Sequence, residues 1–194
     1  MKKLIITFAI TFTVNHMRAQ EKPEIRQGQT LEYTVQAGGG IFPMTFDIDS
    51  LSDSRFELSW RLSQSKGRFI MNKLSLDSAP DCYWEQPRDF EEFILPSSQN
   101  LLMVSRKIFK TLKEDKQAVF DGALLSLKEN KADPFILNGK TIDAVYAESE
   151  SGLRIWILND PITPLFLKIE NNPYMVDATL DRINNNINFK TKQP

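Results

Sequence analysis

Residues Gly152–Glu170 read GLRIWILNDPITPLFLKIE. Two runs of alternating apolar residues flank a Pro-bearing connector, Asn159–Thr163, and this pattern predicts a β-hairpin. Leu153, Ile155 and Ile157 share one face of the first run; Leu165, Leu167 and Ile169 share one face of the second. Alternation fixes the faces but leaves the register open. Setting Trp156 opposite Phe166 would place Arg154 opposite Lys168, a like-charge contact that costs stability. Sliding the strands by two residues sets Arg154 opposite Glu170 and Trp156 opposite Lys168, which gives an ion pair and a cation–π contact. The second register is the expected one.

Working outward toward the N-terminus, Leu31, Tyr33, Val35 and Ala37 alternate on one face before Gly38–Gly40 reverses the chain. Phe42, Met44, Phe46 and Ile48 follow in phase. Pro43, on the opposite face, predicts a strand that lies at an edge or begins just after it. Phe56, Leu58, Trp60 and Leu62 alternate next. Phe69 and Met71 resume the apolar face, and a bulge at Asn72–Lys73 would bring Leu74 and Leu76 back into phase. Four such runs with short turns predict an antiparallel meander with one buried face.

Asp77–Pro96 breaks the pattern, interleaving Tyr83, Trp84, Phe90 and Phe93 with acids and prolines. A stretch this long without periodicity predicts a crossover flap that covers something. From Ser98 the period becomes helical, with Leu101, Val104 or Ser105, Ile108, Phe109 and Leu112 on one stripe, Ser97 or Ser98 as the cap and an end near Asp115–Gln117. Strands resume at Ala118–Phe120 and Ala123–Glu129 around Asp121–Gly122. Phe135–Leu137 and Lys140–Glu148 flank Asn138–Gly139, a strong hairpin signal, with Ile142, Ala144 and Tyr146 facing inward. The last strand is Tyr174–Ile183, with Val176, Ala178 and Leu180 in phase. The fold class is therefore mainly β (α+β): a strongly curved antiparallel sheet or half-barrel wrapped around one helix, with a closed barrel as the alternative.

Residues 1–19 carry a basic start at Lys2 and Lys3, a short apolar run and a polar end, the layout of a cleaved secretory signal peptide. Residues 20–183 are then one curved-sheet domain, and 184–194 a flexible tail. The localisation expected is periplasmic or secreted, with no transmembrane segment. The chain has 24 basic and 25 acidic side chains. Losing residues 1–19 removes Lys2, Lys3 and Arg18 but no acid, which makes nucleic acid a poor partner. Cys82 is the single cysteine and is expected to be buried against Tyr83 and Trp84, with pairing to another chain as the alternative.

The only histidine, His16, lies in the leader. The mature chain thus has no imidazole for a Ser–His–Asp triad or a His-ligated metal, and one Cys excludes thiolate clusters. No cofactor and no metal site is implied, and no catalytic residue is assigned. Asp47, Asp49 and Asp53 fail the EF-hand pattern, with Leu51 and Ser52 where an oxygen ligand and a Gly are needed. Glu85, Asp89, Glu91 and Glu92 offer carboxylates for glycoside chemistry. Trp60, Tyr83, Trp84, Phe90, Phe93 and Trp156 are the candidate lining of a ligand pocket; the alternative is that they plug the sheet as core.

GQTLEYTVQAGGG, NLLMVSRKIFKTLK and WILNDPITPLFLKIE together resemble a family of uncharacterised exported envelope proteins of Gram-negative bacteria, classed as a domain of unknown function. The resemblance implies a half-barrel around a helix, similar to envelope proteins that carry lipid or lipoprotein, and it implies no catalytic residues. The leading functional expectation is a non-enzymatic periplasmic or secreted binding protein whose partner is an apolar, lipid-like ligand or an envelope protein. A carboxylate-based hydrolase of envelope glycans and a structural envelope component are the alternatives.

Overall fold

The computed structural model describes residues 20–89, 91–128 and 134–185. The expected leader, Phe90 and most of the expected tail lie outside the described residues. The N-terminal limb is β1 (Gln29–Ala37), β2 (Gly40–Ser52), β3 (Arg55–Leu62) and β4 (Ser65–Asn72). These strands pair antiparallel in chain order, the expected meander. Their inward side chains Leu31, Tyr33, Phe46, Ile48, Phe56, Leu58, Trp60 and Phe69 are buried. Pro43 faces Thr34 of β1, whereas β3 first meets β2 at Thr45. Its missing N–H therefore falls where β2 has a neighbour on one side only, as the position of a strand proline requires.

After β4 the structure departs from the expected bulge. The chain leaves the sheet as α1 (Lys73–Ser78), capped by Asn72, whose side chain accepts from the Ser75 amide at 3.1 Å. Leu76 is buried and Leu74 exposed. Their change of phase marks a change of element, not a slipped register.

The crossover contains β5 (Asp81–Cys82), β6 (Glu92–Ile94) and β7 (Gln99–Asn100). β5 and β7 pair in parallel and close the base of the loop, while β6 joins β4 as a parallel edge strand with Phe93 opposite Phe69. The second helix, α2 (Arg106–Asp115), starts later than its stripe suggested. Its cap is Ser105, which accepts from the Ile108 amide at 3.4 Å, in place of Ser97 or Ser98. Leu101–Val104 are all buried, and Met103 bridges to Leu165. A core segment buried all round presents apolar residues at every spacing, so it mimicked an extension of the helical stripe. Ile108, Phe109 and Leu112 are buried as expected, and the helix ends at Lys116 in the left-handed region.

The C-terminal limb is β8 (Gln117–Phe120), β9 (Ala123–Leu127), a small hairpin of β10 (Ile136–Leu137) and β11 (Lys140–Thr141), then β12 (Ala144–Ser149), β13 (Arg154–Leu158), β14 (Phe166–Glu170) and β15 (Val176–Asn185). The Asn138–Gly139 turn has φ of 52° and 76°, the left-handed pair that such a dipeptide supplies. The expected Lys140–Glu148 strand is broken at Ile142–Asp143, where Asn159 binds the Asp143 carbonyl and carboxylate. The break shifts the phase. Val145 and Ala147 are buried, and Ala144 and Tyr146 take the other face, which corrects the inward assignment of those two residues. The last strand begins at Val176, later than Tyr174, and runs on to Asn185.

β13 and β14 pair in the expected register: Arg154 opposite Glu170 with their charges 2.8 Å apart, and the Lys168 ammonium 5.1 Å from the Trp156 ring centre. The main sheet has 11 strands in the order β6-β4-β3-β2-β1-β15-β14-β13-β12-β9-β8, so it is mainly β and its ends do not close into a barrel. β15, the last strand in sequence, lies at its centre beside the first. α2 packs against β8, β9 and α1, while α1 and the crossover meet the wall of β3 and β4.

Candidate ligand-binding site

Side chains from six consecutive strands of the sheet converge on one cavity of about 460 Å³. β1 contributes Tyr33 and Val35, β2 Met44 and Phe46, β14 Phe166 and Ile169, and β15 Val176 and Ala178. Leu62 and Phe69 extend the wall along β3 and β4. The sheet therefore bends around this space. The crossover covers it through Cys82–Pro87 and Leu101–Leu102. The volume falls in the range of small-molecule sites, and the lining is overwhelmingly apolar.

The polar side chains set against the sheet are occupied, while Glu85 and Gln86 stand on the exposed cover. The Tyr33 hydroxyl donates to the Phe166 carbonyl at 2.7 Å, and burial pushes its pKa up. Burial likewise holds the Cys82 thiol protonated, with the Asp121 charge adding to the effect. Cys82 is buried, as expected. Such groups anchor the wall and offer little to a polar guest.

Trp84 forms the edge of the cover. Its ring stacks on Phe166, with centroids 6.2 Å apart and planes within 6°, and on Tyr174 at 6.3 Å. Its indole N–H donates to Oδ2 of Asp121 at 2.7 Å, while the Cys82 amide donates to Oδ1 at 2.8 Å. One carboxylate in the β8–β9 turn thus fastens the crossover over the cavity. Burial pushes the Asp121 carboxyl up to about 6, against the lowering effect of these two donors. Sequence reading placed Asp121 only as a turn residue, and no local pattern distinguishes a turn aspartate that reaches a partner 37 positions away.

The six candidate lining residues separate. Tyr83 and Trp84 line the main cavity. Trp60, Phe93 and the other edge of Tyr83 line a smaller adjoining hollow of about 70 Å³, together with Phe69, Glu85, Arg88 and Glu91. Trp156 is a correction. It lies on the outer face with Tyr146 at 4.7 Å and Lys168, because strand alternation sets it opposite in phase to the buried Ile155 and Ile157. Phe90 lies outside the described residues.

Three of the four candidate acids of the crossover are engaged in structure. Glu92 lies 3.6 Å from Arg68, Glu91 4.0 Å from Arg88, and Asp89 accepts the Lys66 amide at 2.9 Å. Glu85 and Glu91 do share the small hollow, but at about 30 Å³ per water-sized group that space holds roughly two such groups and no sugar ring. Asp47 and Asp49 are held on the outer face in ion pairs with Arg61 at 3.0 Å and Arg68 at 3.3 Å. No helix among the described residues is long and apolar enough to cross a membrane. No family model, curated protein or solved structure matches the chain.

Proposed function

We propose that this protein binds an apolar, lipid-like molecule without transforming it, and that it does so outside the cytoplasm. The observation that carries the reading is the cavity of about 460 Å³ at the centre of the sheet, walled by strands of both limbs and covered by the crossover. An apolar concavity of this size, with few polar groups in its lining, is the kind of space that binds an apolar guest. The layout of residues 1–19 supports export.

The test is equilibrium binding of Nile red, an uncharged apolar dye whose emission rises on transfer from water. Wild-type protein is expected to bind one dye per chain, saturably. Ala178→Phe, which places a ring in the cavity from the central strand, is expected to weaken binding at least tenfold while circular dichroism stays unchanged. Absence of saturable binding by the wild type, or equal binding by a folded Ala178→Phe variant, overturns the proposal.

A further inference from the structure

We infer that the guest is a single-chain amphiphile with a cationic amino head group, an assignment that rests on the binding function proposed above. Volume sets the chain. At about 30 Å³ per group the size of a water or methylene, the cavity holds roughly fifteen such groups. That is one acyl or alkyl chain of ordinary length, and about half of a two-chain lipid. The interior requires this chain to be bare of polar groups. The Tyr33 hydroxyl and the Trp84 indole both spend their protons on the protein, and the other polar side chains of the lining, Glu85 and Gln86, stand on the exposed cover, so a hydroxyl or amide carried deep against the sheet would lose its water without gaining a donor there.

Charge sets the head group. Among the described residues lining the cavity there is no lysine or arginine; the one charged side chain is Glu85. Glu85 also lines the adjoining hollow, and Phe69 and Tyr83 are likewise common to both spaces. Trp60 and the mutually packed rings of Phe69, Tyr83 and Phe93 line that hollow of about 70 Å³, with Glu85, Arg88 and Glu91. Aromatic faces and carboxylates together attract an ammonium group, through the ring quadrupoles and directly through charge. Arg88 is the opposing charge at this site. It lies 4.0 Å from Glu91 and its side chain is largely exposed, which leaves Glu85 as the carboxylate at the junction of the two spaces. The hollow is large enough for an ammonium and its first methylene. A carboxylate or phosphate head group would have to desolvate against Glu85, at a cost in affinity.

The experiment is displacement of Nile red by tetradecylamine, tetradecanoate, tetradecan-1-ol and ditetradecylamine at neutral pH, below the concentrations at which each aggregates. The single-chain amine is expected to displace the dye at a concentration at least tenfold below that of the carboxylate, and below that of the two-chain amine. Glu85→Gln is expected to remove most of the preference for amine over carboxylate, and Glu85→Lys to reverse it, with the alcohol little affected by either. Equal displacement by amine and carboxylate in the wild type overturns the head-group assignment, as does a preference unchanged by Glu85→Gln. Equal displacement by the two-chain amine overturns the single-chain assignment. In those outcomes the dye still binds, so the broader function stands; it fails if the wild type shows no saturable binding or if a folded Ala178→Phe variant binds the dye equally.

Discussion

Trp84 donates its indole N–H to Oδ2 of Asp121 across 2.7 Å, joining the cover of the cavity to a turn at the far edge of the sheet. The burial of Asp121, which outweighs the lowering effect of this bond, has a consequence for pH. Asp121 has its ordinary value of 3.8 in the unfolded chain and is pushed up to about 6 in the fold. Between those values only the folded protein holds the proton. The contribution of Asp121 to stability is therefore greatest below about pH 3.8, declines as pH rises toward 6, and is level above that. In urea-denaturation series across this range, the stability difference between wild type and Asp121→Asn is expected to change with pH in that window and to be constant above it. A difference that is constant throughout would show that the carboxyl is not shifted.

Tyr33→Phe removes the donor to the Phe166 carbonyl within the cavity wall. The carbonyl is left buried without that partner, and the expected loss is about 1–2 kcal/mol. Urea denaturation measures it; a change within about 0.3 kcal/mol would mean that the bond contributes nothing net.

Gly67 lies where a Cβ would stand 2.6 Å from the Trp60 Nε1 and 2.7 Å from the Glu91 carbonyl. One neighbour is backbone and the other a buried ring, so neither yields cheaply. Gly67→Ala is expected to cost about 1–3 kcal/mol, as overpacking does. The loss should be accompanied by faster amide exchange at Glu92–Ile94, where β6 would be pushed from β4.

Arg106, at the start of α2, donates to the Asp77 carboxylate at 2.8 Å, to the Asp53 carbonyl at 2.7 Å and to the Ile162 carbonyl at 3.0 Å. It joins α1 and the connections of both limbs at one point. Arg106→Met keeps the stem and is expected to cost about 2–3 kcal/mol at neutral pH. Asp77 is held below the usual carboxylate range, first by Lys73 and then by Arg106. Its stabilisation is present above its unfolded value of 3.8 and is lost as pH falls through the folded value. The gap between wild type and variant should therefore narrow in acid, which an acid-denaturation series would show.

Lys168 lies over Trp156 and beside Glu170. Lys168→Glu sets a second carboxylate next to Glu170 and replaces the cation at the ring face, with an expected cost of about 1 kcal/mol. Added salt should recover part of the difference, since the site is half exposed and screening acts there. A salt-independent loss would instead indicate a packing effect.

Much of the fold was legible because a half-buried strand writes its period into the sequence. The meander from Leu31 to Met71, the turns at Asp121–Gly122 and Asn138–Gly139, and the pairing of Arg154 with Glu170 all follow from alternation and local charge. Where burial is complete on every side the period disappears. Leu101–Val104 extended the helical stripe for that reason, and Leu74 and Leu76 suggested a bulge where a capped helix turn stands.

The site depended on contacts far apart in sequence. Composition flagged Tyr83 and Trp84, but only the tertiary structure set them over a cavity and brought Asp121 to the Trp84 indole; that Trp156 takes the outer face already follows from its alternation with Ile155 and Ile157. The deciding step is the return of β15 to pair with β1, which places the two limbs side by side around one space. Period and charge act over a few residues and can be read in order. The closure of a sheet by its last strand is a property of the whole chain, and the cavity exists only once that strand is in place.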